Sequence, residues 1–453
     1  YEIKKGRVYI MAIKAVFVPL ARTTFYMPSA EESFKNSVNV LKNIFEDIKV
    51  PEALITDPAD LTAYLDEVDK ADLIIYQCTT FIGSEFMYEL MRKFKCPVII
   101  WAIREPSIDG TRLKLNSLTG AFSAGNSVYT QDRDFDFVFG NPDEQSVIDE
   151  FTKYNKAITL INDLKELVIG VVGNQPAGFG FGAINETDLV GALGSRVARV
   201  EAASIMEKAK SYTSEELAKD LEELNSRTIN VNIPQENMEK YARLRKAFQA
   251  FVDENKIGAL ASRCWPDFFT GFGAPVCAVL SMLNDNNIPS SCETDIGGAI
   301  SMFIGSKLTN TATYFGDPVA IDEACDSIVY WHCGAGASSL ANASCGAKLG
   351  VHPNRKIGPV MDFGLKAGKV TVLRLGKDKD GYRMFIYKGE ALDEPQKFYG
   401  TSVTVRPENG NAVAYVKNFV KDGWEPHFVI AYGDIVDEVK IMCNLLKIRV
   451  FEY

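Results

Sequence analysis

The chain has 453 residues, more than one hydrophobic core usually serves, so two or three domains are expected. Its 59 acidic and 49 basic side chains leave a formal charge of −10, a balance that repels phosphate backbones and anionic headgroups and so excludes nucleic acid and membrane surfaces as partners. The longest early apolar run, AIKAVFVPLA, contains Lys14, is too short to span a bilayer and follows no signal-peptide pattern, which points to a soluble cytoplasmic protein.

Residues 1–10 precede Met11 and take no part in the fold reading. After them IKAVFVPL, a helix from about Ser29 to Asp47, DLIIYQC, the helical SEFMYELMRKF and PVIIWAI alternate short apolar runs with amphipathic segments. Such alternation predicts a parallel sheet with crossover helices over 12–165. A second unit of the same kind, 166–306, runs from ELVIGVVG through TDLVGALGSRVARVEAASIMEKA and a long polar helical region, Ser214 to Glu254, to IGALASRC, the helical PVCAVLSMLND and IPSSC. From 307 to 453 the texture changes: GPVMDFG, KVTVLRLG, YRMFIYKGEAL, TSVTVRP and HFVIAYGD are β-rich and divided by turn residues. The last element, DIVDEVKIMCNLLKI, spaces Ile435, Val439, Met442 and Leu446 along one helical face, which should pack down on the domain. The expected fold is α/β: two doubly wound α/β domains followed by a β-rich C-terminal domain.

Nine cysteines with no C-x-x-C pair argue against both a disulfide framework and a thiolate zinc site, and read as small buried hydrophobes. Only three histidines exist, at 332, 352 and 427, so any imidazole chemistry must use one of them. In VVGNQPAGFGFGAIN, Gly178, Gly180 and Ala183 fit a loose dinucleotide-binding pattern with Glu201 farther on, but Pro176 and Ala177 lengthen the turn. An NAD-dependent oxidoreductase using the Gly178 loop is therefore one alternative, and a plain strand-to-helix loop another.

Carboxylates give a stronger lead. Glu293 ends IPSSC and Asp317 ends TATYFG, both read as C-terminal strand ends where open α/β sheets place ligands, with GDP at 316–318 read as a sharp exit from the strand. Each acid alone also fits a solvated loop or a helix cap, and Asp295 reads as a turn residue or cap ahead of Gly297 and Gly298. His332, after IVYW, fits a satisfied partly buried imidazole or a ligand; His352 reads as a loop residue; His427 starts a C-terminal strand. A Glu, an Asp and a neutral His form a mixed O/N set suited to Mn²⁺, Mg²⁺ or Co²⁺.

CWPDFFTGFGAPVCAVLSMLNDNNIPSSCETDIGGAISM, TYFGDPVAIDEACDSIVYWHCG and PHFVIAYGD together resemble the L-fucose isomerase and L-arabinose isomerase family, on the side of its fucose isomerase-like branch; the 24-residue spacing of Glu293 and Asp317 is the most specific feature. The resemblance implies two α/β domains and a β-rich third. It also implies one divalent cation, commonly Mn²⁺, held by Glu293, Asp317 and His427, with His332 as an added ligand, a neighbour of the ligands or a substrate contact. Glu293 and Asp317 would then move a proton between C1 and C2 of an open-chain aldose through a cis-enediol, the cation acting as Lewis acid. The resemblance implies a fucose- or arabinose-like aldose as substrate; Pro426, which has no side-chain donor where fucose isomerases carry an amide, and a shorter C-terminal domain count against L-fucose itself and leave room for a modified aldose, including one with an anionic substituent. Arg263, Trp265 and Trp424 are candidates to bond or stack on the sugar, alongside ordinary packing roles. Arg22 resembles an arginine that reaches a neighbouring subunit's site, which implies a homo-oligomer, a hexamer or trimer; a plain surface role is its alternative. A non-catalytic sugar-binding protein is the remaining reading, though it needs no such set of acids and histidine.

Overall fold

The structure, a computed structural model, describes residues 12–230 and 232–453; the set-aside segment 1–10 lies outside the described residues. The chain divides into two compact units, one ending at Asp163 and one running Leu164–Tyr453.

The first unit holds a five-stranded parallel sheet in the order Asp47–Lys49, Lys14–Leu20, Leu73–Cys78, Val98–Ala102, Phe135–Phe139. Its central strands, VFVPL, LIIYQC and VIIWA, are buried along their length, as continuous apolar runs covered by helices on both faces must be.

The second unit contains a four-stranded parallel sheet, Ser290–Cys292, Ala259–Ser262, Val168–Val172, Arg196–Val200. It also contains an eight-stranded mixed sheet in the order Phe363–Gly364, Thr401–Pro407, Ser327–His332, Tyr314–Asp322, Phe428–Tyr432, Gly368–Asp378, Gly381–Ala391, Arg449–Glu452. A further pairing between Thr401–Pro407 and Gly381–Ala391 closes six of these strands into a ring, removing most exposed edges. The α/β content with a β-rich C-terminal part is thus the expected class. Helix Ile296–Thr309 packs against strands of both sheets, and its sequence explains why: IGGAISMFIG is apolar or small all round, and every one of those residues is buried. That helix starts where the acids of the ETD stretch lie.

Three local expectations are corrected. The polar region from Ser214 to Glu254 is two helices, Ala218–Arg227 and Gln235–Asn255, separated by the short strand Ile229–Asn230. Pro234 has no N–H to continue a helix and stands as the cap of the second. Helix Val436–Leu445 buries Val439 and Met442 and its N-cap Ile435 is buried too, while Leu446, the C-cap, is only half-buried; nor is the helix the last element, since Arg449–Glu452 follows and pairs parallel with Gly381–Ala391. GDP at 316–318 is not an exit. The strand runs on to Asp322 through a register shift between Pro318 and Ala320, a place where a proline's missing donor is tolerated.

Replacing a helical glycine with alanine ordinarily gains about 1 kcal/mol. At Gly297, within helix Ile296–Thr309, a Cβ would lie 2.7 Å from the Leu375 carbonyl oxygen, which belongs to a packed strand and cannot step aside. Gly297→Ala is therefore expected to lower stability by about 1–3 kcal/mol in urea denaturation, reversing the usual sign.

Candidate active site

Glu293 follows strand Ser290–Cys292 directly, and both it and Thr294 hold left-handed backbone conformations, φ 58° and 55°. A β-branched threonine there is costly, about 1–3 kcal/mol, and persists because neighbours fix it. The Thr294 carbonyl accepts from Gln175 Nε2 at 2.9 Å, and its hydroxyl donates to the Asn174 carbonyl at 3.3 Å. The kink turns the Glu293 carboxylate toward His427, whose Nε2 lies 3.0 Å from Glu293 Oε2. Trp265 Nε1 donates to the other oxygen, Oε1, at 2.9 Å.

Asp317 sits inside strand Tyr314–Asp322 rather than at a parallel strand's C-terminal end, because its sheet is antiparallel at this point. It nevertheless meets the same imidazole: Oδ1 is 3.3 Å from His427 Nε2. His332, last residue of strand Ser327–His332, completes the group, with one ligand atom each of Glu293, His332 and His427 within 4.8 Å of one another. Phe315 packs on both imidazoles, with centroids 4.6 Å from His427 and 5.6 Å from His332, and Phe181 lies edge-on to His427 at 5.2 Å. Both histidines are 1 % exposed, so these rings keep bulk water from the imidazoles.

The Asp295 reading was right as far as it went, since Oδ1 accepts from Gly298 N at 2.8 Å and caps the helix. It also does more. Oδ2 lies 2.8 Å from His427 Nδ1 and accepts from Arg374 NH1 at 2.6 Å, with Asp295 fully buried and Arg374 1 % exposed. Burial alone would push this carboxyl up, but Arg374 and His427 hold it well below the usual carboxylate range. His427 would likewise be lowered by burial, yet bonds to Asp295 and Glu293 bring it up to about 9; burial of His332 is outweighed by Cys333, Asp317 and Glu293, which take it up to about 10. Burial opposes ionisation at Glu293 too, but His427 and His332 leave its carboxyl lowered, whereas at Asp317 burial prevails over both imidazoles and the carboxyl is raised. Glu293, His332 and His427 form a group that could hold a metal ion, Asp317 meets it only through His427, and that imidazole is fixed from behind by the Asp295 carboxylate. The set fits a borderline or hard divalent cation.

The remaining candidates fall elsewhere. Arg263 pairs with Asp267 and donates from Nε to the Trp265 carbonyl at 3.3 Å, so it positions Trp265. Trp424 donates to Tyr453 Oη at 2.8 Å, stacks under Arg383 at 4.0 Å, and lines a cavity of about 470 Å³ with Phe181 and Pro426. Arg22 belongs to the first compact unit and pairs with Glu85. The Gly178 segment does not tighten into a helix: a short 3₁₀ turn, Gly180–Gly182, follows, and the next α-helix begins at Glu186. Its contribution is aromatic, through Phe181 on His427 and Phe179 on Trp265 at 5.5 Å. Sequence reasoning missed Arg374, Phe181 and Phe315, and gave Asp295 only half its role.

Residues 360–453 match the family described as L-fucose isomerase, C-terminal domain. Across nearly the whole chain, the sequence is 43% identical over 444 residues to a sulfoquinovose isomerase of Clostridium sp. (strain MSTE9), covering 97% of this chain and 99% of that one. It is 41% identical over 441 residues to a sulfoquinovose isomerase of Priestia aryabhattai, covering 97% and 98%, and 37% identical over 442 residues to one of Alkalicoccus urumqiensis, covering 97% and 99%.

Asp295→Ala removes the partner of a buried guanidinium and is expected to cost about 3–5 kcal/mol in urea denaturation. Adding Arg374→Met, which takes away the orphaned charge, should recover part of that loss. A double variant as unstable as the sum of the two singles would show that the pair is not coupled.

Proposed function

The chain belongs to the fucose isomerase-like family that includes these sulfoquinovose isomerases, and on that premise we propose that it interconverts sulfoquinovose, an aldose with a sulfonate on C6, and the corresponding 2-ketose, using a divalent cation. It is an aldose–ketose isomerase, as the 37–43% identity over nearly full length carries. The observation that supports the chemistry best is the meeting of Glu293, Asp317, His332 and His427 from separate segments around one point.

Those four side chains would hold the cation, Mn²⁺ or else Mg²⁺ or Co²⁺, with His427 fixed by Asp295. When bound, the cation supplies Lewis acidity toward the sugar carbonyl. Glu293 and Asp317 flank the His427 ring nitrogen and are placed to act on adjacent carbons. In the direction from aldose to ketose, one carboxylate takes the proton from C2, the proton of the C2 hydroxyl passes to the C1 oxygen, and the resulting cis-enediolate receives a proton at C1 from the other acid as the C2 carbonyl forms. Trp265 fixes the Glu293 carboxylate in the plane where it can do this, and Phe181 and Phe315 exclude water from the imidazoles.

The assembly belongs to the same proposal. Arg22 and Glu85 are each partly exposed, with side chains 41% and 45% accessible, which leaves Arg22 able to reach a neighbouring subunit in a hexamer or trimer. We place the enzyme in the cytoplasm. All nine cysteines are free thiols, as a reducing compartment keeps them, and among the described residues no helix is long and apolar enough to cross a membrane.

Protein stripped with EDTA is expected to form no ketose from sulfoquinovose and to regain activity with Mn²⁺, in a panel that includes L-fucose, D-arabinose and L-arabinose. Glu293→Gln with Asp317→Asn should lose both bound metal, by elemental analysis, and at least about 10³-fold in kcat. Full metal occupancy in that double variant, or metal-independent reduction of NAD, would overturn the reading. In deuterated water, product from the proton-transfer route carries deuterium at C1; its complete absence selects a hydride shift instead. For the shared site, co-expression of Arg22→Ala and Glu293→Gln chains should yield mixed oligomers with partial activity where each alone has little, and purely additive residual activity would place Arg22 outside the site.

A further inference from the structure

An anionic sugar presents this site with a difficulty. Glu293 and Asp317 repel a sulfonate, as does a chain with net charge −10, so the far end of the substrate needs a cation of its own. The cations lining the 470 Å³ cavity are already matched, Arg374 by Asp295 and Lys377 by Asp188, and so is Arg383 under Trp424, by Asp378 and Glu425. Arg263 is matched by Asp267.

Arg355 is different. It is exposed, and no carboxylate among the described residues comes within ion-pair distance of it. Its guanidinium stacks over two rings, 5.2 Å from the Trp265 centroid and 5.0 Å from that of Phe269. Trp265 is the side chain that donates to Glu293 Oε1. Arg355 therefore stands on the ring that holds a carboxylate of the candidate active site, within about 10 Å of that carboxylate by the length of the two contacts in series. An open six-carbon chain spans roughly 8 Å from C1 to a substituent on C6, so one molecule can reach both.

The loop that carries Arg355 is held as well. His352, 1 % exposed and unused by the acid and histidine cluster, accepts at Nδ1 from the backbone N–H groups of Asn354 at 3.2 Å and Arg355 at 3.4 Å, and its ring meets Phe269 edge-on at 5.1 Å. Stacking orients the guanidinium plane while leaving its N–H edge free. A planar fork of donors is the group best matched to a tetrahedral oxyanion.

We propose that Arg355, stacked on Trp265 and Phe269, is the residue that binds the substrate's sulfonate and selects sulfonated over uncharged aldoses. The inference rests on the reading of the chain as a sulfoquinovose isomerase. It is tested by steady-state kinetics of the Mn²⁺-loaded enzyme on sulfoquinovose and on 6-deoxyglucose, the same sugar without the sulfonate. Wild type should prefer the sulfonated sugar. Arg355→Met should raise KM for sulfoquinovose about tenfold or more with kcat changed much less, and raise KM for 6-deoxyglucose far less, so that the preference collapses; Arg355→Lys, which keeps the charge and loses the fork, should fall between. A preference that survives in Arg355→Met, or an equal loss on both sugars, would overturn the sulfonate role while leaving the reading of the chain as an isomerase untouched. Absence of any wild-type preference for the sulfonated sugar would overturn the functional reading itself, and the subsite with it.

Discussion

An ionised carboxylate sealed from water costs several kcal/mol unless its neighbours replace the lost hydration, and Asp295 draws its neighbours from two distant parts of the chain and from its own helix. The Arg374 guanidinium comes from strand Gly368–Asp378, the imidazole of His427 from the approach to strand Phe428–Tyr432, and the Gly298 N–H from the helix that Asp295 itself begins. These contacts pin the start of helix Ile296–Thr309 to the C-terminal sheet at one point. Apolar packing of the helix flank would allow small slips; a buried charge with fixed donors does not. The same contact decides the histidine. With Nδ1–H donated to Asp295, Nε2 is the atom turned to Glu293 and Asp317, and the ring cannot flip without leaving two buried groups unmatched.

Backbone strain at Glu293 and Thr294 makes sense beside that anchor. On one side the chain is fixed by strand pairing at Ser290–Cys292, on the other by Asp295, and the two residues between must turn sharply to join them. Thr294 holds its left-handed conformation through the Asn174 and Gln175 loop, which is the segment that leads into Phe179 and Phe181. One loop therefore supports the kink that aims Glu293 and also supplies the ring that covers His427. The glycine-rich stretch fits a loose dinucleotide-binding pattern because glycines advertise close backbone approach. Here, close approach is to Asp295: a Cβ on Gly182 would lie 3.0 Å from its Cα.

The alternation of apolar runs with amphipathic helices was legible because period and length carry it directly, as in LIIYQC and SEFMYELMRKF. Glu293, Asp317 and His427 were legible through their spacing and the resemblance that spacing supports. Arg374 was not. In KVTVLRLG an arginine within a strand reads as a residue on the solvent face, and nothing local says that this strand joins a closed ring with a helix laid against it. Its partner lies 79 residues away, and only the fold brings the two within 2.6 Å. The place of Asp317 in its strand is misread from sequence for a related reason: a Gly-Asp-Pro sequence is an ordinary turn signal, but a bulge absorbs the proline and the strand goes on.

Physical roles can now be assigned along E-T-D-I-G-G with no residue left over. Glu293 faces the imidazole from a strained position that Thr294 shares, and Asp295 carries the buried charge. Ile296 is fully buried at the head of the helix. The two glycines are space for what Asp295 recruits: a Cβ on Gly297 would stand 3.3 Å from Arg374 NH2, and one on Gly298 3.1 Å from Arg374 NH1 and 2.4 Å from Phe315, the ring that packs on both histidines. Small residues at the start of a helix usually weaken it, since they bring flexibility without packing. Here the helix gives up that propensity so that an arginine and a phenylalanine can lie against its first turn, where the Cβ of an alanine at either position would collide with them.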